Sequence, residues 1–273
     1  MKYPEPPQIK PKWLAGGRIR RTGIYWLPNA ITTVALFAGF YAIVQAMNNR
    51  FELAAMGIFC AMVFDGLDGR VARLTRTQSA FGAEYDSLSD MVAFGAAPAL
   101  VIYEWALKDM GKLGWVAAFV YCACAALRLA RFNTNLAVVD KRFFQGLPSP
   151  AAAGLIAGFV WTMEVIKKNF GIHVDEWSWI SWALAVFAGL TMVSNVRFYS
   201  GKDINLRKSV PFRGVVLIVL VVVVLSQVAN NIPELLFSVF VLYAGSGYAL
   251  LVMNRVRKKP PAPPPPVVPP DGL

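Results

Sequence analysis

Long apolar stretches separated by short polar or basic connections run through most of this chain. Crossing a hydrocarbon core of about 30 Å takes about 20 helical residues, and eight stretches approach or reach that length. Because a segment isolated in lipid can satisfy its backbone only as a helix, each stretch predicts a membrane helix. The predicted spans are 28–47, 51–64 with a polar continuation, 87–107, 113–130, 148–166, 177–196, 210–229 and 233–253.

We therefore expect an all-α fold, a polytopic membrane bundle of about eight transmembrane helices. Of the 27 Lys and Arg residues, 22 lie in the termini and in the connections on the same side. Basic residues accumulate on the cytoplasmic side of a membrane, so both termini are expected in the cytoplasm. The first 27 residues contain no apolar run typical of a cleaved signal peptide. The expected localisation is a bacterial-type inner membrane.

Three segments are expected along the chain. Residues 1–27 form a basic segment, in which 13–26 is either an amphipathic helix on the inner leaflet or an ordinary basic flank. Residues 28–255 form the membrane domain. Residues 256–273 form a proline-rich tail, predicted to be a disordered, extended cytoplasmic arm.

Composition narrows the class of protein further. Hydrophobic residues make up 56% of the chain and charged residues 16%, against about 25% charged in soluble domains. The net charge of +11 fits the basic face of a membrane protein, so no nucleic acid partner is expected. Cys60, Cys122 and Cys124 lie in apolar runs and predict no disulfide framework. The single histidine, His173, predicts no zinc site.

Acidic residues concentrate where the second and third predicted spans meet. Asp65 and Asp68 are three positions apart and Asp86 and Asp90 four apart, so each pair shares one helix face. An aspartate at the centre of a membrane helix costs about 2.5 to 3.5 kcal/mol, and such residues are normally functional. Two faces joined by a turn at 77–81 would gather four carboxylates, which repel one another unless a cation holds them. An all-oxygen shell selects Mg²⁺, Mn²⁺ or Ca²⁺.

Two structural alternatives apply to this segment. In the first, the aspartates pair with Arg70, Arg73 and Arg76 in a solvated loop. In the second, nearby small residues serve only tight packing between helices. Under the functional interpretation, the same residues allow close approach of a phosphate-bearing ligand. These small residues are Gly66, Gly69, Ala72 and Gly82.

The joint spacing of these residues favours function over both alternatives. It reads Asp65-x-x-Asp68-Gly69-x-x-Ala72-Arg73, eight residues, then Gly82-x-x-x-Asp86-x-x-x-Asp90. Eight fixed residues within 26 positions match the motif D-x-x-D-G-x-x-A-R-x8-G-x-x-x-D-x-x-x-D at every fixed position. The chain therefore resembles the CDP-alcohol phosphotransferase family, helical membrane enzymes that displace CMP from a CDP-linked lipid by an alcohol.

This resemblance implies roles for individual residues. The four aspartates would hold the divalent metal, Mg²⁺ or Mn²⁺ with Ca²⁺ as a further candidate, and Asp90 is also the candidate catalytic base. Leu27-Pro28-Asn29 with Thr32 resembles the start of the family's first span, although Asn29 alone would be read as a helix cap. The residues expected around CDP-diacylglycerol are Asn29, Thr32, Gly69, Ala72, Arg73 and Gly82.

Segments 127–133, 144–152 and 194–199 resemble the branch of this family that makes phosphatidylserine. The resemblance implies that L-serine attacks CDP-diacylglycerol, giving phosphatidylserine and CMP. A serine pocket needs a cation for the carboxylate, which a bidentate guanidinium supplies, together with neutral acceptors. For either arginine, a cytoplasmic anchor or lipid-phosphate contact is an equal alternative. The expected serine-binding residues are Arg128, Arg131, Asn133 and Gln145.

Other functions stay open from the sequence alone. Within the family, the acceptor alcohol could be glycerol 3-phosphate, inositol or inositol phosphate. A divalent-cation transporter would need acids along a pore, and an aspartate-rich prenyltransferase two distant acidic helices, whereas these acids cluster at one cytoplasmic mouth. Membrane lipids are expected partners, and small-residue faces such as Gly154 and Gly158 permit a homodimer.

Overall fold

The structure is a computed structural model that describes residues 26–75, 77–135, 143–171, 177–199 and 232–256. Helices account for nearly all of these ranges, which confirms the predicted helical class. The α-helices are α1 (Trp26–Met47), α2 (Phe51–Thr75), α3 (Ala80–Asp90), α4 (Ala97–Ile102), α5 (Lys112–Asn135), α6 (Ser149–Phe170), α7 (Ser178–Val193) and α8 (Ile232–Val256).

Helices α3 and α4 belong to one continuous rod. A π-helical turn, Met91–Ala96, joins them, and α4 continues through a second π turn, Tyr103–Leu107, and a 3₁₀ turn, Lys108–Met110. A π turn holds one more residue than an α turn and often occurs at functional sites. The first of these turns begins directly after Asp90, one of the predicted site residues.

Five helical segments in the described ranges are long and apolar enough to cross a membrane. Each coincides with a predicted span, and α7 is a shorter apolar helix where a further span was predicted. Helix α2 is not among the five, and its second half carries the polar continuation expected from the sequence. The five segments are Trp26–Met47, Ala80–Met110, Lys112–Thr134, Ser149–Phe170 and Ile232–Met253.

Some predictions fall outside the described residues. These are most of the basic N-terminal segment, the span at 210–229 and the proline-rich tail. The number of eight spans and the cytoplasmic location of both termini therefore stay predictions.

Two short strands add to the helical fold without changing its class. β1 (Phe143–Gln145) pairs antiparallel with β2 (Arg197–Tyr199), with Phe144 opposite Phe198. The sequence analysis did not predict them, because three-residue strands with 51 residues between them produce no periodic signal. They join the segment before α6 to the segment after α7.

Small residues bring the helices close together. A Cβ on Gly39 of α1 would lie 2.6 Å from the Cα of Ala93, so α1 touches the first π turn through backbone atoms. On α6, Gly154 and Gly158 pack against Phe240 and Phe237 of α8. The sequence analysis offered these two glycines as a face that permits a homodimer, and this was wrong, since α8 of the same chain covers them.

The polar contacts between helices concentrate at the two ends of the bundle. At one end, the start of α1, the end of α2 and the start of α3 meet, and the end of α5 meets α6 and α7. At the other end, Glu52 pairs with Lys168 at 2.8 Å, and Trp105 Nε1 donates to Glu164 Oε2 at 3.0 Å. The predicted site residues all lie at the first end.

Candidate active site

Three carboxylates converge where α2 meets α3. Asp65 and Asp68 lie in the last turns of α2, and Asp86 lies in α3. One oxygen from each lies within 4.8 Å of the others, which is close enough for the three to share a metal ion. The turn that brings them together ends at Ser79, whose Oγ accepts a hydrogen bond from the Gly82 amide at 3.0 Å and so caps α3.

Asp90 lies beside this cluster and outside it. It follows Asp86 by one helical turn, and its carboxyl group lies beside that of Asp65. Asp68 and Asp86 contact each other in the same way. The two predicted pairs therefore meet across the α2–α3 boundary, as three clustered carboxylates with a fourth next to them.

Among the described residues, no cation neutralises the four aspartates at contact distance. Within the described ranges, the ion pairs closer than 4.0 Å involve other residues. Arg73 and Arg128 act on Asp68 and Asp90 from farther away. The alternative in which Arg70 and Arg73 pair with these acids is therefore not realised, and Arg76 lies outside the described residues.

The cluster fits a hard divalent cation on its own geometry. Oδ1 of Asp86 is buried and has no hydrogen-bond partner among the described residues. A buried polar oxygen without a partner is costly, and a cation would satisfy it. Carboxylate oxygens are the ligands that Mg²⁺ and Mn²⁺ prefer.

A cavity of about 310 Å³ opens next to the carboxylates. Asp68 and Asp86 form part of its wall, so a ligand in the cavity would contact two of the three clustered carboxylates. All six residues expected around CDP-diacylglycerol line it. They are Asn29, Thr32, Gly69, Ala72, Arg73 and Gly82.

Five further residues, to which the sequence analysis assigned no role in binding, line the cavity. The sequence indicated them only by their location, because most lie in or beside the α2–α3 turn, between fixed residues of the motif. They are Pro28, Thr77, Gln78, Ser79 and Ala83.

The glycines beside the aspartates leave open space. A Cβ on Gly66 would meet nothing within 4 Å, and one on Gly69 would meet only the Arg73 guanidinium, at 3.6 Å. Tight packing between helices therefore does not explain these two glycines. A Cβ on Gly82 would lie 3.1 Å from Ser79 Oγ and 3.3 Å from Asn29 Oδ1, so glycine at this position allows α1 and the α3 cap to approach.

Arg131 at the end of α5 binds neutral oxygens from two segments. Its guanidinium donates to Asn195 Oδ1 at 2.6 Å, to Gln145 Oε1 at 3.0 Å and to the Val193 carbonyl at 3.2 Å. Two of the predicted serine-binding residues, Arg131 and Gln145, are thus in contact. Neutral acceptors leave the positive charge of Arg131 without a counter-ion in these contacts.

The segment that contains Gln145 is fixed to the end of α7 by its backbone. Gly146 has φ +79°, and a Cβ there would lie 2.1 Å from the Met192 carbonyl oxygen, so only glycine fits. The Gly146 amide donates to Val196 O at 2.8 Å, and the Leu147 amide donates to Thr191 O at 3.1 Å. This segment is therefore a fixed structure and not merely the entrance to a helix.

Arg128 lies one helical turn before Arg131 and closer to the carboxylates. It donates to Ser149 Oγ at 2.7 Å, and its buried Nε has no hydrogen-bond partner among the described residues. Arg128 and Asp90 interact electrostatically, although they are not in contact. Arg128 thus links the predicted serine-binding residues to the aspartates.

Asn133 contacts α3 directly. Its Nδ2 donates to Ser87 Oγ at 3.0 Å, and the Ser87 hydroxyl faces Asn133 Oδ1 at 3.3 Å. Because Ser87 follows Asp86, Asn133 joins α5 to the helix that carries two of the aspartates. The four predicted serine-binding residues therefore lie at the same end of the bundle as the aspartates, in two groups.

Comparison with known proteins agrees with this geometry. Residues 25–193 match the CDP-alcohol phosphatidyltransferase family, and the chain belongs to that family. This range includes the whole carboxylate motif, the cavity and the four predicted serine-binding residues.

Several relatives carry the name CDP-diacylglycerol–serine O-phosphatidyltransferase. One from Helicobacter pylori is 35% identical over 182 residues, which cover 67% of this chain and 75% of that protein. One from Methanocaldococcus jannaschii is 37% identical over 175 residues, covering 64% and 74%. One from Saccharomyces cerevisiae is 38% identical over 166 residues, covering 54% and 59%.

Proposed function

We propose that this chain transfers the phosphatidyl group of CDP-diacylglycerol to the hydroxyl of L-serine, giving phosphatidylserine and CMP. The observation that carries the proposal is the cavity bounded by Asp68 and Asp86, which all six residues expected around the nucleotide lipid also line. Family membership supports the lipid donor. The names of relatives from bacteria, an archaeon and yeast support serine as the acceptor.

The metal in this proposal is Mg²⁺ or Mn²⁺. Asp65, Asp68 and Asp86 would hold it, with Asp90 next to them. When bound, such an ion neutralises charge on the pyrophosphate as CMP leaves. Ca²⁺ has the same preference for oxygen, so the measured metal dependence must distinguish the three.

Asp90 is proposed to take the proton of the serine hydroxyl. The hydroxyl oxygen attacks the phosphorus that bears diacylglycerol, the bond from that phosphorus to the CMP oxygen breaks, and the proton passes to the Asp90 carboxylate. A carboxylate is a weak base for an alcohol, so proton transfer must accompany bond formation. Direct displacement is favoured, because no Cys or His is among the described residues that line the cavity.

Arg128 is proposed to bind the serine carboxylate. It lies near Asp90 without touching it, so the carboxylate and the hydroxyl of one serine could reach Arg128 and Asp90 respectively. Arg131 and Gln145 would complete the serine pocket, and Asn133 would align α5 with α3 through Ser87. Each of these roles can be tested separately by substitution.

The membrane arrangement proposed here follows the charge pattern of the sequence. Residues 28–255 form a catalytic domain of about eight spans, with the active site and both termini on the cytoplasmic side of a bacterial-type inner membrane. A basic segment precedes this domain and a proline-rich tail follows it. A homodimer would have to use a surface other than Gly154 and Gly158, and a mass measurement in detergent tests whether it forms.

An acceptor screen tests the proposed function. Purified full-length protein in detergent would receive CDP-diacylglycerol, Mn²⁺ or Mg²⁺, and one acceptor chosen from L-serine, glycerol 3-phosphate, inositol and inositol phosphate. We expect release of CMP and formation of phosphatidylserine with L-serine. CMP release with a different acceptor alone would reject serine. Metal flux into vesicles that contain the protein, without CMP release in detergent, would favour a transporter.

A further inference from the structure

The π turn at Met91–Ala96 begins directly after Asp90, the second of the two site aspartates on α3. In this turn the Ala97 amide donates to the Val92 carbonyl, five residues back instead of four. One additional residue rotates the following helix by about 100° relative to the preceding one. The rotation of Asp86 and Asp90 relative to the buried face of α4 therefore depends on this turn.

A proline and a tyrosine meet at the carbonyl of Phe94 within the turn. In a regular α-helix this carbonyl would accept from the amide of residue 98, but Pro98 has no N–H. Instead the Tyr121 hydroxyl, from α5, donates to the Phe94 carbonyl at 3.0 Å. The side chains of Tyr121 and Phe94 are fully buried, so water does not supply this bond.

Neighbouring helices enclose the same turn. Ala93 packs against Gly39 of α1 at backbone distance, and a Cβ on Gly95 would lie 3.3 Å from Ala125 of α5. Just before the turn, the buried Ser89 hydroxyl donates to the Thr32 carbonyl of α1 at 3.2 Å. A single rotation of α3 thus places Ser89 against α1 and Asp90 against Asp65.

We propose that Tyr121 and Pro98 together hold this π turn, and that the turn sets the rotation at which α3 presents Asp86 and Asp90 to α2. Tyr121 is then a positioning residue that acts on the carboxylate cluster through the Phe94 carbonyl. The inference rests on the metal role given to the aspartates under the proposed function. It does not depend on which alcohol is the acceptor.

The test measures Mn²⁺ binding and thermal unfolding of the full-length protein in detergent, without lipid substrate or acceptor. Tyr121→Phe removes one hydroxyl and should raise the Mn²⁺ dissociation constant about 10-fold, as for other residues that orient metal ligands. Tyr248→Phe is the matched control, because it also removes a tyrosine hydroxyl contact, 2.8 Å from Thr191 Oγ1, on α7 and α8. We expect it to leave Mn²⁺ binding unchanged.

Pro98→Ala separates positioning from simple stabilisation. The alanine restores an amide that can satisfy the Phe94 carbonyl in α-helical geometry, so Tm should be retained or rise while Mn²⁺ binding weakens. In the double variant Tyr121→Phe with Pro98→Ala, Tm should recover and Mn²⁺ affinity should not. This prediction holds even if Tyr121→Phe alone is too unstable to purify.

Two results would overturn the inference. One is unchanged Mn²⁺ affinity in Tyr121→Phe or Pro98→Ala. The other is a double variant in which Mn²⁺ affinity recovers together with Tm, because Tyr121 would then only satisfy a carbonyl. Wild-type protein that binds Mn²⁺ but fails the acceptor screen would reject the serine reaction and leave this inference intact, whereas wild-type protein that binds no Mn²⁺ would reject the metal role and the inference together.

Discussion

The hydroxyl of Thr32 lies 2.6 Å from Oδ2 of Asp68 and joins α1 to the carboxylate cluster. Thr32 is 4% exposed and Asp68 3%, so this hydrogen bond forms away from water. The Pro28 carbonyl, at 3.1 Å, competes for the same proton. An acceptor carboxylate with a fixed donor keeps one orientation, which a metal ligand requires.

Thr32→Val should weaken metal binding while keeping the shape of the side chain. Losing a partner of this kind typically lowers metal affinity about 10- to 100-fold, and we expect the lower end because Asp68 itself remains. Activity measured across a Mn²⁺ titration should show a raised half-saturating concentration and an almost unchanged maximum rate.

The control for this variant is Thr33→Val. Thr33 is the next residue, is exposed, and contacts the Asn29 carbonyl at 2.7 Å and the Tyr85 hydroxyl at 2.9 Å. It touches none of the aspartates in these contacts. Equal shifts of the Mn²⁺ midpoint in both variants would mean that Thr32 acts only on the stability of α1.

Asp65→Asn and Asp86→Asn should each reduce activity by at least about 100-fold, because removing a ligand costs more than removing its hydrogen-bond partner. Each substitution keeps the size of the side chain and removes one charge from three carboxylates that lie within 4.8 Å. Less mutual repulsion should leave the Tm unchanged or higher. CMP release and thermal unfolding, measured on the same preparation, check both parts.

Glu84→Gln provides the comparison on the same helix. Glu84 is an exposed acid on α3, two residues before Asp86, and it is not one of the three clustered carboxylates. Its activity should stay within about 2-fold of wild type, since a single exposed charge contributes little. Turnover near the wild-type rate in either aspartate variant would reject the metal site.

The parts of the site that the sequence predicted are those with local spacing. Asp65 and Asp68 share a face because they are three apart on one helix. The turn, which lies between Thr75 and Ala80, overlaps the expected range of 77–81. Resemblance to a family then added Asn29 and Thr32, which no periodicity would connect to α2. Their place in the cavity wall is consistent with that addition.

The parts that the sequence did not predict depend on distant or irregular contacts. The position of Asp90 outside the cluster depends on the rotation of α3 about its axis. The π turn changes this rotation, and a regular period of 3.6 residues does not predict the change. The contact between Arg131 and Asn195 joins residues 64 positions apart. From the sequence, Gly154 indicated only that its helix packs closely against another surface. The structure identifies that surface as α8.

Arg128→Ala should raise the KM for serine at least about 10-fold and leave the KM for CDP-diacylglycerol nearly unchanged. The reason is the loss of a charged hydrogen bond worth about 1.5 to 3 kcal/mol. Arg128→Lys should recover only part of the loss, because an ammonium cannot bind a carboxylate in bidentate fashion. Steady-state kinetics with each substrate varied in turn measure this difference.

Arg131→Ala should differ from Arg128→Ala in its effect on stability. Arg131 holds Gln145, Asn195 and the Val193 carbonyl together, so its loss should lower Tm as well as raise the KM for serine. Arg128 donates to the single hydroxyl of Ser149 and does not join two segments in this way, so its loss should cost less in Tm. If both variants raise the two KM values equally, the arginines anchor the fold or the lipid and do not bind serine.

Asp90→Asn separates a catalytic base from a metal ligand. Asp90 contacts Asp65 but lies outside the three carboxylates that could share one ion, which favours the base. A general base contributes about 10²- to 10⁴-fold to the rate, so kcat should fall by that range while CDP-diacylglycerol binding stays nearly intact. Saturating Mn²⁺ should not restore it, whereas for Asp65→Asn excess Mn²⁺ should restore part of the rate. Full recovery of Asp90→Asn at high Mn²⁺ would make Asp90 a ligand and end its assignment as the base, while the cluster of the other three would stand.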